Sequence, residues 1–197
     1  MTLPNKITLV RIAMIPLMAF FYLANFIPYG KIVALVLYII AALTDFVDGF
    51  IARKYNLVSD LGKFMDPIAD KLLTTTALIL VVCDLTVPQP YGAIATIIIL
   101  AREFVISAFR QVAATKNYVM AADWWGKVKA NFQFFSFGGL MLLSFLKNDT
   151  AYSGVGIQVF EIINWVLLGG AVLLTIISGI NYLVKNWNVL KSNKDEK

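Results

Sequence analysis

Six stretches of this 197-residue chain are long and apolar enough to cross a lipid bilayer: about 8 to 28, 31 to 52, 66 to 84, 91 to 113, 130 to 147 and 157 to 184. A span needs about 20 mostly apolar residues. In lipid every backbone polar group must be satisfied within the segment, so such spans are helices. The expected fold is an all-α, polytopic membrane protein of six transmembrane helices opened by a short N-terminal interfacial helix. Residues 1–197 form a single domain, since no Pro/Gly/Ser-rich linker and no internal repeat divides them. Only 15% of the residues are charged, against about 25% in a soluble domain. Lys6 and Arg11 precede the first apolar run as in a secretory leader, but no small-x-small cleavage site follows cleanly, and the run reads as a retained span.

Lysine and arginine give the orientation. Lys6, Arg11, Arg53, Lys54, Lys63, Lys71, Arg102, Arg110, Lys116, Lys127, Lys129, Lys185, Lys191, Lys194 and Lys197 fall on one side, and only Lys31 and Lys147 on the other, 15 against 2. Both termini and the 53–71 and 114–129 loops are expected on the cytoplasmic face of the cell (inner) membrane. The net charge of +5 follows from this bias and from attraction to anionic membrane lipids, so it implies no nucleic-acid partner.

The chain has no His and a single Cys, Cys83. An internal disulfide is excluded, and any acid, base or metal chemistry falls to carboxylates, Lys, Tyr or water. Against that background the segment TDFVDGFIARKYNLVSDLGKFMDPIADK, residues 44–71, places four aspartates in or beside membrane spans. Asp45 and Asp48 are three apart and Asp66 and Asp70 four apart, so each pair shares one helical face. The 17 residues between Asp48 and Asp66 suffice to end one helix, turn and start its antiparallel neighbour, so the pairs can face each other.

A carboxylate at mid-membrane costs about 2.5–3.5 kcal/mol, and four together repel one another, so a positive charge should compensate. A four-Asp set without His or Cys suits Mg²⁺ or Mn²⁺ and suits zinc or copper poorly. Gly49 and Ala52 remove bulk beside the acids, Arg53 offers a fork of donors for phosphate, and Gly62 continues the small, acidic face. Each residue also has a plainer reading. Asp66-Pro67 or Ser59-Asp60 can cap a helix, the glycines can serve helix packing, and Arg53 can anchor topology. Asp45, after a long apolar run, has no such reading, and the plain readings together do not generate the spacing.

Asp45-x-x-Asp48-Gly49-x-x-Ala52-Arg53, then Gly62-x-x-x-Asp66-x-x-x-Asp70, is eight fixed positions over 26 residues. It resembles in full the signature of the CDP-alcohol phosphatidyltransferases, six-helix membrane enzymes that displace CMP from a CDP-linked lipid or alcohol. The resemblance implies two divalent ions, Mg²⁺ or Mn²⁺, held by Asp45, Asp48, Asp66 and Asp70, with Asp70 also the general base. It implies that Gly49, Ala52, Arg53, Ser59 and Gly62 meet the CDP portion of CDP-diacylglycerol, and that the chain forms a homodimer.

Ahead of the first span, Asn5, Thr8 and Arg11 share one helical stripe against apolar Leu3, Ile7, Leu9 and Val10, the pattern of an interfacial amphipathic start. A capped, positively anchored start to the span fits the spacing equally. The opening resembles the phosphatidylglycerophosphate synthase branch of the family, which implies that Asn5 and Thr8 close over the nucleotide.

Arg102 and Glu103 interrupt the fourth span, and Arg110 follows about 12 Å along the helix. A mid-span Arg marks a site, or else pairs with an acid for structure, and Arg110 can snorkel. Lys127 and Lys129 sit at the mouth of the fifth span, two apart and therefore on opposite sides. Cations here suit an acceptor that carries a phosphate. REFVISAFR and GKVKANFQ look like that branch's version of these helices, which implies sn-glycerol 3-phosphate as acceptor, with Arg110 and Lys127 foremost and Arg102 and Lys129 also candidates. Serine, an inositol phosphate or phosphatidylglycerol as acceptor, or a divalent-cation transporter, are the alternatives. Gly138-Gly139 and Gly169-Gly170 read as packing points between spans.

Overall fold

The computed structural model describes residues 3–55, 59–115, 124–150 and 154–186. Among these it contains six helices and no strand: α1 (Leu3–Leu23), α2 (Gly30–Lys54), α3 (Asp60–Cys83), α4 (Tyr91–Thr115), α5 (Trp124–Asn148) and α6 (Val155–Asn186). They pack in a closed circuit, α1 on α2, α2 on α5, α5 on α6, α6 on α4, α4 on α3 and α3 on α1, with α3 also touching α2 and α5.

Four helices, α1, α2, α4 and α6, are long and apolar enough to cross a membrane. α3 and α5, at 24 and 25 residues, match them at about 36 Å, but charge is concentrated in their first halves. Large apolar side chains face outward all round, among them Phe20, Val36, Ile97, Val166 and Leu173. The protein is a multi-pass membrane protein whose outer surface is made for lipid rather than water.

Both ends of the first helix and the starts of the third and fifth move by five or six positions, the fifth beginning at Trp124 rather than near 130. The first helix ends at Leu23 rather than near 28, because the chain turns back through 24–29 so tightly that a Cβ on Gly30 would lie 2.5 Å from the Phe21 carbonyl oxygen. It also begins at Leu3 without a break, so the opening expected at the interface and the first span are one helix. The third helix starts at Asp60, with Ser59 as cap accepting from the Gly62 amide. Asp66-Pro67 is therefore not the helix start, and Asp66 lies nearly two turns inside α3.

The core joins Ile15, Met18 and Tyr22 of α1 to Tyr38 of α2, Leu73, Ala77 and Val81 of α3, and Phe137 and Leu140 of α5. Small residues, including Ala34, Ala41 and Ala77, are at most 1% exposed and let backbones approach. Gly138 abuts Tyr38, Gly139 leaves no room for a Cβ against Asn164 of α6, and Gly170 abuts Phe132. These are packing points, whereas Gly169 faces open space.

Away from the aspartate pairs, the far end of the bundle is tied by Asp84 at the end of α3. Its carboxylate accepts from Lys31 Nζ at 3.0 and 3.1 Å, Thr86 Oγ1 at 3.2 Å, Asn148 Nδ2 at 3.2 Å, Tyr22 OH at 3.5 Å and Ser144 Oγ. Lys147 pairs with Glu161 at 2.6 Å, so both lysines assigned to this side are neutralised. Removing one member of a buried ion pair strands the other. Asp84→Ala is therefore expected to lower unfolding stability by about 3 kcal/mol while leaving turnover at low temperature near normal, measured by thermal unfolding in detergent beside an activity assay.

Candidate active site

α1 carries its polar stripe inward. Asn5, Thr8 and Arg11 are 4%, 1% and 1% exposed, while Leu3, Leu9 and Val10 are exposed. The stripe meets α2 and α3 instead of water, so it pairs with the aspartates they carry.

Arg11 bridges the first pair. Its Nη1 donates to Asp45 Oδ1 at 2.6 Å and its Nη2 to Asp48 Oδ2 at 2.5 Å, with Nε 3.4 Å from Thr44 Oγ1. Asp48 is buried, whereas the Asp45 side chain is 46% exposed. Thr8 links the two pairs, its Oγ1 lying 2.9 Å from Asp66 Oδ1, 3.4 Å from Asp48 Oδ2 and 3.1 Å from the Pro4 carbonyl. One hydroxyl proton serves one acceptor at a time, and the shortest contact is to Asp66.

Next to Thr8, Ser59 Oγ donates to Asn5 Oδ1 at 2.8 Å and accepts from the Gly62 amide at 3.1 Å. A Cβ on Gly62 would lie 2.9 Å from Asn5 Oδ1, so glycine is what lets α1 close on α3. Three residues expected at the CDP portion thus form one node. Gly49 follows Asp48 on α2 and is half-buried. The side chains of Ala52 and Arg53 lie outside the described residues.

A cavity of about 390 Å³ opens beside the acids, walled by Arg11, Asp45, Asp70, Glu103, Lys129 and Gln133 on its polar side. Asp70 is exposed into it. Lys129, 4% exposed, is ion-paired with Glu103 across the α4–α5 contact.

The four basic residues considered for an acceptor phosphate separate here. Lys129 is on the cavity wall, and Lys127, two residues away and so on the opposite side of α5, is exposed. Arg102 turns to α6, with Nη2 3.2 Å from Ser178 Oγ and Nη1 3.3 Å from Glu103 Oε1. Arg110 stacks on Tyr182 at 5.3 Å and donates from Nε to its hydroxyl at 3.0 Å. Neither arginine is on the cavity wall. The pairing of Arg102 is with Glu103 and not with any of the four aspartates.

Three contributors were not marked as site residues by sequence. Arg11 had a signal, since it extends the Asn5–Thr8 stripe by one more turn. Glu103 had one too, as an acid inside a membrane helix, and Gln133 lies four residues beyond Lys129 on the same face.

The donor set is all carboxylate oxygen, which suits hard divalent cations. Among the described residues no three acids converge closely enough to enclose an ion. Asp45 and Asp48 instead meet at the Arg11 guanidinium, which supplies the positive charge, and Asp48 and Asp66 approach one another at Thr8.

A sequence model described as CDP-alcohol phosphatidyltransferase matches residues 1–177. A Bacillus subtilis (strain 168) protein named CDP-diacylglycerol–glycerol-3-phosphate 3-phosphatidyltransferase is 39% identical over 97% of this chain and 98% of its own. Proteins of the same name from Rickettsia bellii, 38% identical over 91% of this chain and 92% of theirs, and from Haemophilus influenzae, 33% identical over 92% and 91%, are similar along the same length.

Proposed function

The chain belongs to the CDP-alcohol phosphatidyltransferase family, and from that membership we propose that it transfers the phosphatidyl group of CDP-diacylglycerol to sn-glycerol 3-phosphate, giving phosphatidylglycerophosphate and CMP. The observation that carries this reading is the meeting of two aspartate pairs, from α2 and α3, beside one cavity that also presents Lys129. The similarity to phosphatidyltransferases named for this reaction, over nine-tenths or more of both chains, supports the same donor and acceptor.

In the reaction the acceptor hydroxyl oxygen forms a bond to the β-phosphorus, the pyrophosphate P–O bond breaks, and CMP carries the bond electrons away. Asp70, open to the cavity, takes the hydroxyl proton. Lys129, in low-dielectric surroundings, draws the acceptor phosphate toward Asp70, and Glu103 holds the ammonium in place. Arg102, Arg110 and Lys127, though not on the cavity wall, add positive charge that raises the local concentration of an anionic acceptor. Thr8 and the Asn5–Ser59–Gly62 node, with Gly49, Ala52 and Arg53 on α2, receive the CDP portion. Asp45, Asp48, Asp66 and Asp70 would hold two divalent ions, Mg²⁺ or Mn²⁺, which when bound neutralise phosphoryl oxygens and the departing CMP.

This reading includes six membrane spans, because α3 and α5 match the others in length and gather most of their charge in their first halves, at one end of the bundle. It also includes a first turn at the interface, cytoplasmic termini and active site, and a homodimer. The test is lipid product analysis with purified protein, CDP-diacylglycerol and Mg²⁺, offering glycerol 3-phosphate, serine, inositol phosphate or phosphatidylglycerol in turn. Phosphatidylglycerophosphate should form with glycerol 3-phosphate and no lipid product with the rest. A product from another acceptor instead would keep the donor chemistry and discard the acceptor assignment.

A further inference from the structure

The cavity wall beside Asp45 and Asp70 carries a polar group that nothing among the described residues satisfies. Gln133 is 4% exposed and lines the cavity, and its Nε2 has no hydrogen-bond partner among the described residues. A carboxamide nitrogen carries two N–H donors, and buried donors in native proteins are nearly always paired. In a helix whose neighbouring positions are Phe132, Phe134 and Phe135, an apolar side chain would fill this place with no donor to satisfy. A ligand in the cavity would satisfy that donor.

The cavity's own polarity indicates which ligand atom. Its lining combines the charged Arg11, Asp70 and Lys129 with apolar side chains that include Leu43 and Phe135, which are 54% and 64% exposed at the outer surface of the bundle. Gln133 lies one turn along α5 from Lys129, toward the middle of the helix. A molecule with its phosphate at Lys129 and its carbon skeleton running along α5 toward Phe135 places neutral oxygens beside Gln133. Such oxygens suit an uncharged amide donor, whereas a phosphate would favour a cation.

On the transfer reaction proposed above, both substrates carry a glyceryl unit in that position. We propose that Gln133 donates a hydrogen bond from its carboxamide to a glyceryl oxygen of the bound substrate, orienting that unit relative to Asp70. The oxygen is either the C2 hydroxyl of the acceptor or an ester carbonyl of the donor. The competing explanation is internal. Ser136, one turn further on and fully buried, also has an unpartnered Oγ, but it is not on the cavity wall. If Gln133 served only to pair with Ser136, Ser136→Ala would behave as Gln133→Met does.

The experiment measures CMP release by purified wild-type, Gln133→Met, Gln133→Asn and Ser136→Ala proteins with CDP-diacylglycerol and Mg²⁺. The acceptor is glycerol 3-phosphate or, in parallel, 3-hydroxypropyl phosphate, which lacks the C2 hydroxyl. If the wild type shows no glycerol-3-phosphate-dependent release, the transfer reading fails and this inference falls with it. Given wild-type activity, both Gln133 variants should raise one KM by roughly three- to tenfold, the worth of one neutral hydrogen bond, with a smaller change in kcat. Gln133→Asn, which keeps the amide but withdraws it by one methylene, covers the case in which Met is not accommodated.

A rise in the acceptor KM, with loss of discrimination against 3-hydroxypropyl phosphate, assigns the contact to the acceptor hydroxyl. A rise in the CDP-diacylglycerol KM assigns it to the donor ester. Unchanged KM values for both substrates in a folded variant overturn the proposal, as does a Ser136→Ala protein that reproduces the Gln133→Met behaviour in full.

Discussion

Asp70→Asn is expected to lower CMP release at least a hundredfold, within the roughly 10²–10⁴ that a positioned general base contributes, without loss of fold. Asp70 projects into the cavity from α3 and is exposed there, and no side chain described here depends on its carboxylate for a hydrogen bond. Asn keeps the size and one oxygen but cannot take the proton. Asp48 offers no such clean test, because it is buried and holds Arg11, so its removal mixes chemistry with unfolding. The measurement is single-turnover CMP release beside separate titrations of Mn²⁺ and CDP-diacylglycerol binding. Full turnover in an Asp70→Asn protein that binds both normally would take the base role away from Asp70.

Arg11→Met is expected to destabilise the protein by about 3–5 kcal/mol in the presence of a chelator, the cost of leaving a buried charge without its partner. Arg11 is 1% exposed and ties α1 to α2 through Asp45 and Asp48. Most of the cost falls on Asp48, since solvent reaches the half-exposed Asp45 side chain and screens it. Met fills similar space without charge, so the loss reports electrostatics more than packing. If these carboxylates also receive divalent cations, millimolar Mn²⁺ should restore much of the lost stability to the variant and raise the wild type less. Thermal unfolding in detergent with chelator and with Mn²⁺ gives all four values. Equal stability of variant and wild type in chelator would show that Arg11 does not neutralise the cluster.

The sequence revealed whatever depends on period and spacing. Runs of about 20 apolar residues located each helix to within six positions. The three- and four-residue intervals of Asp45, Asp48, Asp66 and Asp70 put each pair on one face. Features that depend on tertiary docking were not legible. Nothing local says that Arg11 will reach residues 34 and 37 positions away, and its positive charge was already explained by topology. Which of Lys127 and Lys129 faces the cavity is set by the rotation of α5 against α2 and α3, and the spacing established only that they diverge. The start of α3 was ambiguous because Ser59 and Asp66 both make good caps, and it was decided when Ser59 met Asn5 of α1. The Asp84 clamp joins Tyr22, Lys31 and Ser144 from three other helices, each of which reads alone as an ordinary span-end polar residue.

The most direct single measurement is the rate of CMP release by purified wild-type protein supplied with CDP-diacylglycerol, glycerol 3-phosphate and Mg²⁺ or Mn²⁺, then with each component withheld in turn. Release should require all three, stop on chelation and resume when the divalent ion is returned. Release that continues in chelator, or a folded protein that binds both substrates and releases no CMP, would contradict phosphatidyl transfer at the α2–α3 aspartates.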